Sequence, residues 1–190
     1  MFPEGASNRH VVLLSGGIDS ATLMRSLAAS GIPIEALHID YGQPALIREA
    51  QSATALAHDS GIQLSRVQIG GLSITGGTEI AGRNALLVIV GLMHLAGSPG
   101  VLYLGIHAGT GYADCSPAFI RLQQTVLDLY TKGTVQLSAP FRDATKADIW
   151  QLARDLGVPL SVTYSCELGY EQPCGQCRSC ADLESLNAGH

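Results

Sequence analysis

Short apolar runs alternate along this chain with longer segments of helical periodicity. Five runs predict strands, at residues 10–14, 34–39, 63–69, 101–104 and 135–137. The segments between them predict helices at 19–30, 44–60 and 83–95, one that opens at Ser116-Pro117, and one that begins at Thr145 and ends at Gly157. Strands that alternate with helices form parallel sheets, which bind ligands at the carboxyl ends of their strands. We therefore expect an α/β fold, a parallel five-stranded sheet with helices on both faces, with its function in the loops after the strands.

Two helices and the tail carry further information. The segment 83–95 is apolar nearly all round, which is typical of a buried helix. Thr145 followed by Asp148 has the spacing of a capping box. Beyond Pro159 the helical periodicity ends, and a cysteine-rich tail follows that is too small to have its own core without a metal. The chain is thus predicted to comprise an N-terminal extension at 1–9, an α/β domain at 10–160 and a metal-binding segment at 161–190.

Composition and charge exclude some classes of function. Hydrophobic residues make up 46% and charged residues 14% of the 190 residues, a balance that favours one compact domain. Lys and Arg number 11 against 16 Asp and Glu, and Lys132 and Lys146 are the only lysines, so nucleic-acid binding by bulk attraction is not expected. No apolar run reaches about 18 residues, and the first residues lack the order of a signal peptide. We expect a cytoplasmic protein without a membrane span.

A glycine-rich motif, Ser15-Gly16-Gly17-Ile18-Asp19-Ser20, stands between the first strand and the first helix. Backbone N–H groups at a helix start, with glycines that let a ligand approach, form an anion site suited to phosphate. The alternative is a tight turn followed by an Asp or Ser helix cap. The motif resembles the pyrophosphate loop of the N-type ATP pyrophosphatases. That resemblance implies an ATP site made of Leu14, Ser15, Gly16, Gly17, Ile18, Asp19, Ser20, Ala21, Thr22, Leu23 and Met24.

Four cysteines near the C-terminus form a second motif, with the spacing C-x7-C-x2-C-x2-C. They are Cys166, Cys174, Cys177 and Cys180. Four thiolates close a tetrahedral site with no open position, so the pattern favours one structural Zn²⁺ per chain. The alternatives are an iron–sulfur cluster, which four cysteines also suit, and free thiols or a redox pair.

Taken in order, the motifs resemble the QueC family of 7-cyano-7-deazaguanine synthases, from about residue 10 to 182. The resemblance is carried by SGGxDS, Asp40-Tyr41-Gly42-Gln43, Gly82-Arg83-Asn84, Gly111-Tyr112-Ala113-Asp114-Cys115, a lysine between Pro140 and Trp150, and Thr163-Tyr164-Ser165-Cys166 with CGQCRSC. It implies an adenine nucleotide alpha hydrolase-like, Rossmann-like fold, bound zinc, Mg²⁺ with ATP, and a homodimer. In that family ATP activates the carboxylate of 7-carboxy-7-deazaguanine and ammonia gives the amide. A second ATP activates the amide for dehydration to the nitrile, and AMP and pyrophosphate are released.

Several residues of these motifs are candidates for the reaction. Lys146 stands in the first turn of a helix, where a cation opposes the helix dipole, so a phosphate contact is favoured over an exposed position. Arg83 offers a planar fork to a phosphate or carboxylate, the alternative being a solvated arginine at a helix start. Asp19 is expected to hold Mg²⁺ or to cap its helix. The resemblance implies catalytic roles for Lys146, Arg83 and Asp114, and substrate contacts from Tyr41, Gln43, Asn84 and Tyr112.

His107 and Cys115 follow the fourth predicted strand, on the expected ligand side. Each has a structural alternative, since a lone histidine is often part of a core and a lone cysteine often acts as a small buried hydrophobe. For His107 the structural role is slightly favoured.

Some positions differ from the family pattern. Pro44, Ala45 and Arg48 replace an Arg, a His and a Glu, Ser116 replaces an Arg, and Glu167 replaces an aromatic residue. Pro44, Ala45 and a shorter loop before Gly82 would widen access, which favours a divergent relative that joins the deazaguanine carboxylate to an amine of a protein or nucleic acid. A tRNA sulfurtransferase with an iron–sulfur cluster and an inactive nucleotide-sensing zinc module are further alternatives.

Overall fold

The computed structural model describes residues 8–72, 74, 79–107, 109 and 111–188. Residues 1–7 of the expected N-terminal extension, residues 73 and 75–78 of the loop before Gly82, and residues 189–190 of the expected metal-binding segment lie outside the described residues.

Five strands and six α-helices follow one another in the described residues. The strands are β1 (Arg9–Leu13), β2 (Glu35–Asp40), β3 (Leu64–Gln68), β4 (Gly100–Tyr103) and β5 (Val135–Ser138). The helices are α1 (Ile18–Ala29), α2 (Leu46–Asp59), α3 (Arg83–His94), α4 (Pro117–Thr131), α5 (Lys146–Asp155) and α6 (Arg178–Ala188). Short 3-10 turns occupy Ala113–Cys115 and Leu160–Val162.

The five strands form one parallel sheet in the order β3-β2-β1-β4-β5. In the centre, Val12 of β1 is in register with Ala36 of β2 on one side and Tyr103 of β4 on the other. The order of the strands reverses direction between β1 and β4, and such a switch point opens a crevice at the carboxyl ends of the strands. The predicted α/β sheet is confirmed.

Helices cover both faces of this sheet. Val12 and Leu14 pack on one face with residues of α1, α2 and α5, while Val11 and Leu13 pack on the other face with residues of α3 and α4. Because successive side chains of a strand point to opposite faces, a strand covered on both sides is apolar without alternation, as β1 is from Val11 to Leu13.

Three helices differ from the sequence-based expectation. The tail does not stay irregular after Pro159, because α6 covers its last described residues and packs Leu183 and Leu186 against the core that includes α5. The segment 83–95 is not buried all round, since Met93 of α3 is 73% exposed. The predicted helix at 44–60 begins two residues later, at Leu46, with Pro44 outside it.

The predicted capping box at the start of α5 is confirmed. The Thr145 hydroxyl accepts the Asp148 backbone N–H (3.2 Å), and the Asp148 carboxylate accepts the Thr145 backbone N–H (2.9 Å). The Thr145 hydroxyl, which donates to the Asp148 carboxylate (2.6 Å), and the Thr145 backbone N–H hold the pKa of Asp148 below its ordinary value. The box therefore fixes the first turn of α5, where Lys146 lies.

We expect Thr145→Ala to lower the free energy of unfolding by about 1 kcal/mol, because the first turn of α5 loses its cap. The matched control is Thr125→Ala, at an exposed position of α4. Alanine should be neutral or slightly stabilising there because it is the better helix former. Urea unfolding of both variants measures the difference. Equal stability of the two variants would contradict the role of the box.

Candidate functional site

A cavity of about 220 Å³ lies at the switch point, at the carboxyl ends of β1, β2 and β4. Its walls come from the segments 13–20, 37–49, 83–87, 104–107 and 112–115, from Lys146, and from the C-terminal residues Tyr164, Ser165, Glu167, Ser179 and Leu183. The motifs that are far apart in the sequence thus meet at one place.

The glycine-rich loop forms the floor of the cavity through close backbone packing. Gly16 has a φ of +92°, and a Cβ there would lie 2.6 Å from the Glu49 carbonyl oxygen, so only glycine fits. Gly17 is the N-cap of α1, and no side chain in the described part of the chain caps that helix. The alternative of an Asp or Ser cap is therefore wrong, and the first residues of α1, whose backbone N–H groups have no partner within the helix, line the cavity.

The predicted ATP stretch divides into two parts. Leu14, Ser15, Gly17, Ile18, Asp19 and Ser20 line the cavity. Ala21, Thr22, Leu23 and Met24 are buried. Of these, Ala21, Leu23 and Met24 belong to the hydrophobic core beneath the cavity. Ser20 donates a hydrogen bond from its hydroxyl to the Gly17 carbonyl oxygen (3.1 Å), which fixes the turn.

Asp19, Lys146 and His107 form a charged cluster beside this loop. Lys146 Nζ lies 2.6 Å from Asp19 Oδ1, and His107 Nε2 lies 3.8 Å from Asp19 Oδ2. Burial lowers the pKa of His107 below its ordinary value, and this outweighs the opposite effect of the Asp19 carboxylate. The cluster places a cation, an anion and a neutral imidazole at the start of α1.

The turn after β2 forms the opposite wall. Gln43 accepts the Tyr41 backbone N–H (2.9 Å) and donates to the Ile39 carbonyl oxygen (3.2 Å) and to Glu49 Oε2 (2.8 Å). Burial raises the pKa of Glu49, and it raises the pKa of Tyr41 to about 12, with the Glu49 carboxylate adding to the latter shift. Gln43 is thus used by the protein to hold this turn, and it lines the cavity together with Tyr41 and Glu49.

Arg83 and Asn84 begin α3 at the cavity wall. Asn84 donates its backbone N–H to the Asp114 carboxylate (3.2 Å) and its side-chain amide to the Asp114 carbonyl oxygen (3.0 Å). Among the described residues, Asp114 is not part of the cavity wall, whereas Tyr112 and buried Cys115 are. Asp114 therefore positions Asn84 and the start of α3.

The positions that differ from the family pattern have distinct surroundings. Ser116 caps α4, its hydroxyl accepting the Phe119 backbone N–H (3.1 Å). Arg48 lies 3.6 Å from the exposed Glu171. Glu167 faces the cavity and accepts hydrogen bonds from Ser179.

The four cysteines of the second motif come together into one cluster. Their sulfur atoms all lie within 4.8 Å of one another, and Cys174 Sγ is 3.8 Å from Cys180 Sγ. Backbone N–H groups of Gln176 and Cys177 donate to Cys174 Sγ and lower the pKa of its thiol to about 6. Such a group of thiols, one already biased toward thiolate, could hold a metal ion.

The cysteine segment is joined to the α/β domain at the cavity. The Tyr164 N–H donates to the Gly16 carbonyl oxygen (3.0 Å), and Arg178 donates to the Gly109 carbonyl oxygen (2.5 Å). Gly169 fits against Pro44 so closely that a Cβ there would lie 2.1 Å from the Pro44 carbonyl oxygen. The segment expected at 161–190 therefore forms a wall of the site.

Sequence reasoning missed several residues of the wall. Ser165 lies directly before the first of the four cysteines, Ser179 lies between the last two, and Leu183 follows them, so no separate pattern marks these residues. His38 sits inside the apolar run of β2, and its Nδ1 contacts the Leu14 carbonyl oxygen (3.0 Å). A polar residue near the carboxyl end of a buried strand is the signal that could have identified it.

Comparisons with known proteins give matches along most of the chain. The model of the family described as "Queuosine biosynthesis protein QueC" matches residues 9–84 and 75–185. The chain is 37% identical over 198 residues to the 7-cyano-7-deazaguanine synthase of Methanosphaerula palustris, covering 90% of each chain. It is 34% identical over 213 residues to the synthase of Gloeothece citriformis, covering 95% of this chain and 92% of the relative.

Solved structures share the fold at lower identity. NMN synthetase from Francisella tularensis has a TM-score of 0.58 at 17% identity, over 97% of this chain and 78% of that one. The U34-tRNA thiolase NcsA from Methanococcus maripaludis, solved with its [4Fe-4S] cluster, has a TM-score of 0.53 at 16% identity, over 98% and 67%. A helix long and apolar enough to cross a membrane is not found among the described residues.

The family match extends over nearly all of the α/β domain and the cysteine cluster, and the curated relatives are matched along most of their length. The chain belongs to the family of the queuosine biosynthesis protein QueC.

Proposed function

We propose that this chain is an ATP-dependent carbon–nitrogen ligase that converts 7-carboxy-7-deazaguanine and ammonia, through the amide, to 7-cyano-7-deazaguanine. The observation that carries the proposal is the start of α1, a helix end without a side-chain cap, bordered by Lys146, at the floor of a cavity at the switch point. The names of the relatives supply the substrate class.

The chemistry requires an anion site at this place. A carboxylate is a poor electrophile, so one of its oxygens attacks the α-phosphorus of ATP, the bond to the β-phosphate breaks, and pyrophosphate leaves with the electron pair. The backbone N–H groups and the positive end of α1 would stabilise the developing pyrophosphate charge. Mg²⁺ bound with ATP would neutralise part of the phosphate charge. The amine then attacks the acyl carbon and AMP leaves.

The side chains divide into proposed roles. Lys146 would contact phosphate, and Asp19 would hold it in place until ATP binds, since their 2.6 Å contact keeps the ammonium at the start of α1. Arg83 would contact a phosphate or the substrate carboxylate, with Asn84 and Asp114 positioning it. Tyr41 and Tyr112 would line the place of the heterocycle, and Gln43 would act through the turn that it holds.

The cysteine cluster would hold one structural Zn²⁺. A Zn–S bond of about 2.3 Å in a tetrahedral site places neighbouring sulfurs about 3.8 Å apart. The observed separations, up to 4.8 Å, suit one ion better than an iron–sulfur cluster, whose own iron and sulfide atoms would spread the thiolates further. Cysteines that stay free for a metal are typical of a reducing compartment, which supports a cytoplasmic location.

The chain would act as a homodimer through the outer face of α3 and α4. Met93, Leu122 and Leu129 on these helices are 73%, 66% and 77% exposed. Leu122 and Leu129 are seven residues apart and so share one stripe of α4, and exposed apolar stripes mark contacts with partners.

The function is tested directly by its products. Incubation with Mg-ATP, 7-carboxy-7-deazaguanine and ammonium should give AMP, pyrophosphate, the amide and the nitrile, each measured by mass spectrometry. Amide without nitrile would contradict the full synthase and point to a ligase that uses another amine. ATP use that does not depend on the carboxylate would contradict both.

Lys146→Met should lower the rate of AMP formation by about 100- to 1,000-fold, because a cation aimed at developing phosphate charge is lost. Lys132→Met is the matched control, since it changes the other lysine, which is exposed at the end of α4, and should leave the rate unchanged. Circular dichroism checks that both variants are folded. An equal rate for the two variants would remove Lys146 from the site.

Cys177→Ser should lower both the bound zinc and the thermal unfolding temperature, because metal binding contributes to folding free energy. Cys115→Ser, outside the cluster, should keep a full complement of metal. Elemental analysis and thermal denaturation provide the two readouts. Iron in place of zinc, with visible absorbance, would contradict the assignment of the metal.

Leu129→Glu should convert the dimer to a monomer, because it places a charge in the proposed apolar contact. Light scattering of the wild type and of the variant measures the mass. A wild-type mass near the 19.9 kDa of one chain would contradict the dimer.

A further inference from the structure

The Glu167 carboxylate uses one oxygen within the protein and leaves the other without a partner. Glu167 Oε1 accepts both the Ser179 backbone N–H (3.2 Å) and the Ser179 hydroxyl (2.7 Å). Glu167 Oε2 is shielded from solvent and accepts no hydrogen bond from the described residues. A buried carboxylate oxygen without a donor is costly, so this oxygen indicates a donor that comes from a ligand.

This oxygen belongs to the same cavity as the start of α1. The segment that leads to Glu167 runs along the glycine-rich loop, since the Tyr164 N–H donates to the Gly16 carbonyl oxygen (3.0 Å). A Cβ on Gly17 would lie 3.6 Å from the Tyr164 carbonyl oxygen, and Gly17 and Glu167 line one cavity. A group bound by Glu167 would therefore lie near the phosphates and the activated carboxylate.

The geometry favours a single cationic donor over the edge of a heterocycle. An amidine edge presents two parallel N–H groups and pairs best with both oxygens of a carboxylate. Here Oε1 already accepts two hydrogen bonds, which leaves one oxygen. Lys146, the lysine of the cavity, is held by Asp19. The negative charge is thus available to a cation from solution.

We propose that Glu167 Oε2 binds the amine substrate in its protonated form, as ammonium or a primary ammonium, beside the activated carboxylate, and takes one proton from it so that the neutral amine attacks the acyl carbon. This rests on the proposed function, to which it adds the binding site of the second substrate. Ser179, between Cys177 and Cys180, orients the carboxylate, so the cysteine cluster builds this site.

The test uses the full chain and Glu167→Gln, which keeps the shape and removes the charge. The KM for ammonium should rise by about 10- to 100-fold, the worth of a hydrogen bond to a charged group, while the KM for ATP stays unchanged. Carboxylate-dependent exchange of pyrophosphate into ATP should also stay unchanged, because it needs no amine. Hydroxylamine, which is uncharged near neutral pH, should capture the activated carboxylate equally well in both proteins.

Two further variants make the result specific. Glu171→Gln makes the same change in the same segment at a side chain that is 84% exposed, and should behave as wild type. Glu167→Asp keeps the charge and should recover much of the ammonium use. Methylammonium used at a lower KM than ammonium would support the same site with a primary amine as its natural occupant.

The proposal is overturned if Glu167→Gln lowers the pyrophosphate exchange, or if its use of hydroxylamine falls together with its use of ammonium. Wild-type chain without carboxylate-dependent exchange contradicts the proposed function itself, and the amine site with it. The two failures are therefore distinguished by the wild type alone.

Discussion

Close backbone packing at the start of α1 is the constraint on which the rest of the site depends. Gly16 packs against α2 with no room for a Cβ, and Gly105, after β4, would place a Cβ 3.1 Å from the backbone of Ser20. Because these contacts are made by backbone atoms, the loop is held without a side-chain cap. The first N–H groups of α1 thereby stay available to an anion, and the surrounding charges are arranged about them.

The C-terminal segment is the second part of this arrangement. It is tied to the glycine-rich loop by Tyr164 and to the loop after β4 by Arg178, whose guanidinium also lies 5.5 Å from the centre of the Tyr112 ring. Cys166 precedes Glu167, and Ser179 lies between two further cysteines. A metal held by the cluster would thus fix the position of this wall of the cavity without contacting the substrates.

The fold could be predicted because its signals are local. Apolar strands, the helix stops and the capping box at Thr145 and Asp148 are each set by a few neighbouring residues. Helix α6 was missed because its apolar face consists of Cys180, Leu183 and Leu186, which is a weak pattern until it packs on α5. The exposure of the outer face of α3 could not be predicted for a related reason. The sequence of an apolar helix is the same whether the helix packs against its own chain or against another chain.

The site could be predicted in part. The glycine-rich motif, Lys146 and the cysteines are recognisable from residue type and spacing, and the structure brings the first two to one cavity and the cysteines into one cluster. The pairing of Asp19 with Lys146 spans 127 positions of the chain, and that of Glu167 with Ser179 spans 12, and no local pattern encodes either. Asp114 shows the same limit, because a carboxylate that positions Asn84 is indistinguishable in sequence from one that contacts the substrate.

The proposed reaction depends on cleavage of ATP between its α- and β-phosphates by attack of a carboxylate oxygen. The most direct measurement uses 7-carboxy-7-deazaguanine labelled with ¹⁸O in both carboxylate oxygens, with mass spectrometry of the phosphorus products. We expect one ¹⁸O to appear in AMP and none in inorganic phosphate. Label in inorganic phosphate, with ADP as the other product, would show activation at the γ-phosphate and would contradict the role given to the start of α1.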